Sequence, residues 1–293
     1  MDIKVTMRGI LVLRQQHRCS ARSLQAIVSS RLPCSNNSYQ RGLFTDPFYG
    51  SPRPPVRRRA HPHVNPDGIP VPLSPPLPPL RRFALTATSA LIALADPERG
   101  DMVAALGELT GSVPLSSILG AMSSDQVGAR ILADRPLVGA DTVAAAALCG
   151  EGTFGRCYHE FLCGHGFDAE DRSPVRFLED PDLAYVMLRY RQSHDFWHVL
   201  TGLPPTVPGE IALKWLELIQ MGMPVAALSA VMGPIRLSAA ERATLLSVYV
   251  PWAVRTGKNA KHLMNVYYEK EFDSDLGELR QRMRIEPSPS LMF

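Results

Sequence analysis

His194 and His198, four residues apart, with Asp195 beside the first and Glu210 twelve residues after the second, are the side chains of this sequence best suited to gathering around a metal ion. At about 100° per residue a helix puts the two histidines about 40° apart on one face, with Asp195 on the adjoining strip. Asp180-Pro181-Asp182 reads as the start of that helix, with an N-cap acid and a proline in the first turn, and Gly202 reads as its end. Leu203-Pro204-Pro205-Thr206-Val207-Pro208-Gly209 predicts a turn of seven residues, so that Glu210 opens the next helix with its carboxylate pointing back. Neutral imidazoles with carboxylates suit zinc, and other divalent ions are chemically compatible. The alternative is a packed pair of helical histidines beside an exposed aspartate. Both flanking acids favour the metal site.

Other chemistry fits less well. Cys157, His159, Cys163 and His165 imitate a second ligand set, but Cys157 and His159 would point about 200° apart on a helix, too far for one ion to collect. A phosphohydrolase of the His-Asp type shares His194-Asp195 but needs a further upstream histidine and a distant aspartate. A zinc protease wants glutamate as general base where Asp195 stands.

The elements that must position these residues lie in the second part of the chain. Of the 31 Lys and Arg residues, 11 fall in residues 1–80 with only three acids, which leaves 20 basic against 25 acidic residues from Arg81 onward. A body of that balance speaks against a nucleic-acid binder. Residues 1–45, rich in Arg and Ser and poor in acids, have the composition of a mitochondrial transit peptide. Twelve prolines between Pro47 and Pro79 predict an extended linker over 46–80, and residues 287–293 form a short tail. Cys149, Cys157 and Cys163 remain after the presequence, an odd number that suits free thiols in a reducing compartment.

Over 81–286 the apolar spacing is helical throughout, with breaks at Gly, Pro or Asp-Pro and no sustained period of two, so an all-α single domain is predicted. Leu218–Ile235 is uncharged over 18 residues, but Gly222, Pro224, Gly233 and Pro234 interrupt it, which favours a pair of core helices over a membrane span. A sharper reading has this segment dip into a bilayer or hold a lipid tail, and for a lipid substrate it and Leu245–Val254 are the candidate walls of a groove.

His194-Asp195-x-x-His198, eleven residues and Glu210 resemble the signature of the ubiquinone biosynthesis protein 4 family of the coenzyme Q pathway. Gly152-Thr153-Phe154-Gly155, Pro174-Val175-Arg176-Phe177, Leu183-Ala184-Tyr185-Val186-Met187, Gly209-Glu210-Ile211-Ala212-Leu213-Lys214-Trp215 and Tyr249-Val250-Pro251-Trp252-Ala253 are similar to that family too, over roughly 84–285. The resemblance implies a helical protein held peripherally on the matrix side of the mitochondrial inner membrane, among the other enzymes of the coenzyme Q biosynthetic complex. It implies zinc on His194, Asp195, His198 and Glu210, and C1-decarboxylation of 4-hydroxy-3-methoxy-5-polyprenylbenzoate to a 2-methoxy-6-polyprenylphenol, with a coupled C1 oxidation also credited to the family. A scaffold that organises the complex, with the metal as a staple, is the alternative. The four ligands would leave the proton donor to water or another side chain, with His159, Tyr158 and Arg189 as candidates.

Overall fold

Glycine, proline and capping acids cut the chain into the helices that its pattern predicts. The computed structural model describes residues 77–289 apart from 97, 98 and 173. The expected transit peptide, nearly all of the linker and the end of the C-terminal tail lie outside these residues. In chain order the helices are α1 (Pro79–Ala95), α2 (Gly100–Thr110), α3 (Ser112–Ser123), α4 (Gln126–Asp134), α5 (Ala140–Ala147), α6 (Phe154–His165), α7 (Pro181–Thr201), α8 (Val207–Met221), α9 (Pro224–Met232), α10 (Ala239–Thr244), α11 (Val250–Asn259) and α12 (Leu276–Met283). The fold is all-α, with no strand among the described residues beyond an isolated bridge between Thr153 and Asp275.

Two elements depart from the pattern. Helix α8 starts three residues before Glu210, because Thr206 accepts from the amide of Gly209 and Pro208, in the first turn, has no amide to lose there. The stretch 239–254 is not one continuous helix: α10 gives way to a π-helical turn over Leu245–Tyr249 before α11, at the point where Pro251 cannot donate to the preceding turn.

Helix α7 lies inside the others. Of its 21 residues 17 are buried, so it presents no solvent face. Asp180 caps it by accepting from the amides of Asp182 (2.8 Å) and Leu183 (3.2 Å). Gly202, at φ 73°, ends it in the left-handed region that glycine enters without strain. From α12, Arg280 donates to the last-turn carbonyls of Val199 (3.0 Å) and Leu200 (2.8 Å). On one side Phe196 packs among Phe154, Tyr158, Tyr268 and Phe272, and Trp197 Nε1 donates to Tyr268 Oη at 2.9 Å.

The ionisable residues of α7 are each matched from another element. Arg189 forms a two-pronged pair with Glu269 (2.5 and 2.9 Å), in a 3₁₀ turn at Tyr268–Lys270. Arg191 reaches Glu108 of α2 at 2.8 Å, and Glu108 also accepts from the amides of Arg176 (2.6 Å) and Phe177 (2.7 Å). One buried carboxylate thus joins α2, α7 and the segment before α7.

Among the described residues no single helix is long and apolar enough to cross a membrane. Helices α2 and α3 together carry that much apolar length, but they bend by 74° and bury Leu106, Leu109, Leu115 and Ile118 in the interior.

Glu108→Ala would remove the buried carboxylate that Arg191 and two backbone amides share, leaving Arg191 its contact with the Ala104 carbonyl. It is expected to cost about 3 kcal/mol or more, read as a lowered midpoint in chemical denaturation.

Candidate metal centre

Helix α7 brings His194 and His198 to its face toward α8, four residues and about 40° apart as the spacing predicts. Tyr190 meets Glu217, His194 meets both Glu217 and Glu210, and His198 meets Glu210, an order of pairing that makes α7 and α8 antiparallel. The turn between them is tight. A Cβ on Gly209 would come within 2.1 Å of the carbonyl oxygen of Pro204, so only glycine lets the first turn of α8 close there.

His194, His198 and Glu210 are buried, and one ligand atom of each lies within 4.8 Å of the others. The two imidazole Nε2 atoms are 3.2 Å apart; Glu210 Oε2 is 3.2 Å from that of His194 and Oε1 is 2.9 Å from that of His198. The opposite nitrogens are committed. His198 Nδ1 donates to the carbonyl of Leu203 at 2.9 Å, so a neutral His198 presents a bare lone pair at Nε2. Glu210 Oε1, buried beside that lone pair, accepts no hydrogen bond. Lone pairs crowded in this way repel one another, and positive charge among them, a proton on His194 or a metal ion, relieves the repulsion. Two nitrogens and a carboxylate oxygen are the donor set that zinc and its neighbours take.

Electrostatics agrees. Burial and Lys214 oppose a charge on His194, but Glu210 and Glu217 outweigh them and hold its pKa up at about 9. Burial raises the carboxyl of Glu210, yet His198 and His194 more than reverse this and hold it far below the usual range.

Asp195 does not join the group. One residue further around α7, its carboxylate turns to Arg172, and both side chains are buried. The Cys157, His159, Cys163 and His165 set does not gather as ligands; Cys163 Sγ lies 3.6 Å from His159 Nε2 on the exposed side of α6. Of the candidate proton donors, Arg189 is occupied by Glu269, Tyr158 is buried with its hydroxyl pKa raised by desolvation, and His159 sits with Cys163. Phe161, stacked on His198 at 5.4 Å between ring centres, covers the histidine from α6. Glu217 is the residue that the spacing argument passes over, although it stands seven residues after Glu210 and therefore on the same face of α8.

An apolar pocket of about 180 Å³ flanks the same helix, lined by Val103 and Leu106 of α2, Val207 and Ile211 of α8, and Leu228 and Met232 of α9. Its wall draws on the Leu218–Ile235 segment but on none of Leu245–Val254, and α1, α2, the start of α8 and Arg236 supply the remainder.

A helical domain with a two-histidine, one-carboxylate centre between antiparallel helices defines the class. Residues 72–289 match the family model described as coenzyme Q (ubiquinone) biosynthesis protein Coq4. The chain is 42% identical over 221 residues to the mitochondrial ubiquinone biosynthesis protein coq4 of Schizosaccharomyces pombe, covering 74% of this chain and 81% of that one. It is 43% identical over 246 residues to the mitochondrial COQ4 homologue of Bos taurus, covering 83% and 92%. A crystal structure from Nostoc punctiforme PCC 73102, of a protein assigned to ubiquinone biosynthesis, shares the fold at TM-score 0.56 and 19% identity over 69% of this chain and 97% of that one. The chain belongs to the Coq4 family of ubiquinone biosynthesis proteins.

Because the ion must displace the proton that His194 holds below about pH 9, binding is expected to release a proton and to strengthen as pH rises. Between pH 7 and that value zinc affinity should climb about tenfold per pH unit and then flatten. Competition titrations against a chelator at several pH values give the slope.

Proposed function

We propose that this protein is a zinc-dependent decarboxylase of coenzyme Q biosynthesis that removes the C1 carboxyl from 4-hydroxy-3-methoxy-5-polyprenylbenzoate. The observation that carries the reading is the count of ligands: with Asp195 held by Arg172, three protein side chains surround the ion's place, as in catalytic rather than structural zinc sites. A divalent ion and Lys214 would outweigh Glu210 and Glu217 by one positive charge, while Arg172 and Asp195 cancel. That surplus favours an anionic fourth ligand such as a carboxylate or phenolate. Bound there, zinc supplies a Lewis acid and a template.

In the reaction C1 takes up a proton, with electron density supplied by the hydroxyl para to it. The bond from C1 to the carboxylate then breaks, its electron pair restores the aromatic ring, and carbon dioxide leaves. Water is the proton source in this reading. Glu210 and the two histidines hold the centre, and Lys214 adds the charge that draws the substrate's anion. Zinc has no redox chemistry, so a coupled C1 oxidation calls for another metal, oxygen or a partner enzyme.

The pocket lined by Val207 and Ile211 of α8 suits the first isoprene units of the tail, each buried methylene contributing about 0.8 kcal/mol. A tail leaving such a pocket fits a peripheral position on the inner membrane beside the other enzymes of the pathway. The burial of His194, His198 and Glu210 favours a second reading, in which the ion staples α7 to α8 in a scaffold that organises those enzymes.

Purified protein supplied with substrate separates the two. Glu210→Ala and His194→Ala are expected to lower turnover at least about a hundredfold. Full activity in a metal-free preparation would sink the catalytic reading. Leu228→Asp should raise KM about tenfold for a polyprenylated substrate and leave a tail-free benzoate unaffected.

A further inference from the structure

Glu217 takes no part in the three-ligand group, yet it is buried and several donors converge on it. Its Oε1 accepts from His194 Nδ1 at 2.7 Å and from Lys214 Nζ at 2.8 Å; its Oε2 accepts from Lys214 at 2.9 Å and from the Tyr190 hydroxyl. The nitrogen it meets is the one opposite Nε2, which faces His198 and Glu210. Glu217 therefore stands behind a ligand rather than among the ligands.

We infer that Glu217 is the positioning carboxylate of the metal centre: it keeps the His194 proton on Nδ1, aims Nε2 at the ion and fixes the plane of the ring. The inference rests on the metal-site reading above. A carboxylate on the far nitrogen of a ligating histidine raises the basicity of the near one. Tyr190, one turn before His194, holds the carboxylate from α7 so that it cannot rotate away. Lys214 acts in the opposite sense. Its ammonium lies 3.4 Å from His194 Nδ1, shares Oε1 with it and repels a divalent cation. The two neighbours of one histidine thus pull metal affinity in opposite directions, which simple packing roles would not do.

Zinc and cobalt(II) affinities of the full chain, measured by chelator competition beside circular dichroism of the metal-free proteins, test this. Glu217→Gln is expected to weaken binding about tenfold or more with the fold retained. Lys214→Met is expected to tighten it about threefold or more. Glu217→Gln binding within about twofold of the parent, or both variants losing affinity together, overturns the inference and leaves the metal site standing. A parent protein that binds neither ion overturns the metal reading itself. If Glu217→Gln does not fold, the sign of the Lys214→Met change decides alone.

Discussion

Charge carried into a helical core must be matched where it sits, and α7 brings Arg189, Arg191, His194, Asp195 and His198 into the interior. Five ionisable residues along ten positions of a buried helix cannot be served by one neighbour. Glu269 comes from a 3₁₀ turn, Glu108 from α2, Arg172 from the segment before α7, and Glu210 and Glu217 from α8. An unpaired charge in such a place costs several kcal/mol, so each pairing restricts where its own element can lie. Four of the surrounding segments are registered in this way against one helix. The candidate metal centre is the place where two of these requirements meet.

The same residues show what a sequence can and cannot disclose. Spacing alone places His194 and His198 on one face, because four residues make nearly a full helical turn, and the proline-rich break signals the reversal that returns Glu210 to them. The fate of Asp195 is decided by a partner 23 residues upstream, and no local pattern distinguishes an adjoining ligand from an acid turned toward Arg172. Glu217 was legible in principle, standing seven residues after Glu210 and three after Lys214. On an amphipathic helix, however, an acid at that position reads as solvated until the opposing helix is known. The all-α class follows from breaks and apolar period, whereas the π-helical turn at Leu245–Tyr249 does not, since Pro251 in a helical run announces a disturbance without saying which kind.

In the proposed function helix α8 links headgroup chemistry to lipid recognition, because the candidate ligand Glu210 and the pocket-lining residues occupy adjoining faces. Glu210 and Glu217 point to α7, while Val207 and Ile211, about 60° and 100° around the helix from Glu210, line the apolar pocket. The helix is held from both sides. Gly209 admits the Pro204 carbonyl at its start, and at Gly233 the missing Cβ makes room for Ile211, whose Cγ1 would lie 2.7 Å from it. A shift of α8 that opened the pocket would therefore also move Glu210 relative to the histidines.

That coupling bears on whether the ion staples or reacts. A staple is served best by four protein ligands that close the coordination sphere and balance the charge. Here Asp195, the acid that the spacing offers as a fourth ligand, is neutralised by Arg172, and Lys214 adds positive charge next to a ligand instead of removing it. Both features weaken a purely structural site. Both are what a centre needs if its last ligand is an anion that arrives with a greasy tail, and the pocket for such a tail borders the helix that carries Glu210. In the proposed reaction, where a carboxylate is exchanged for a proton from water, burial of the three candidate ligands keeps bulk solvent out, so the feature that suits a staple serves that chemistry equally well.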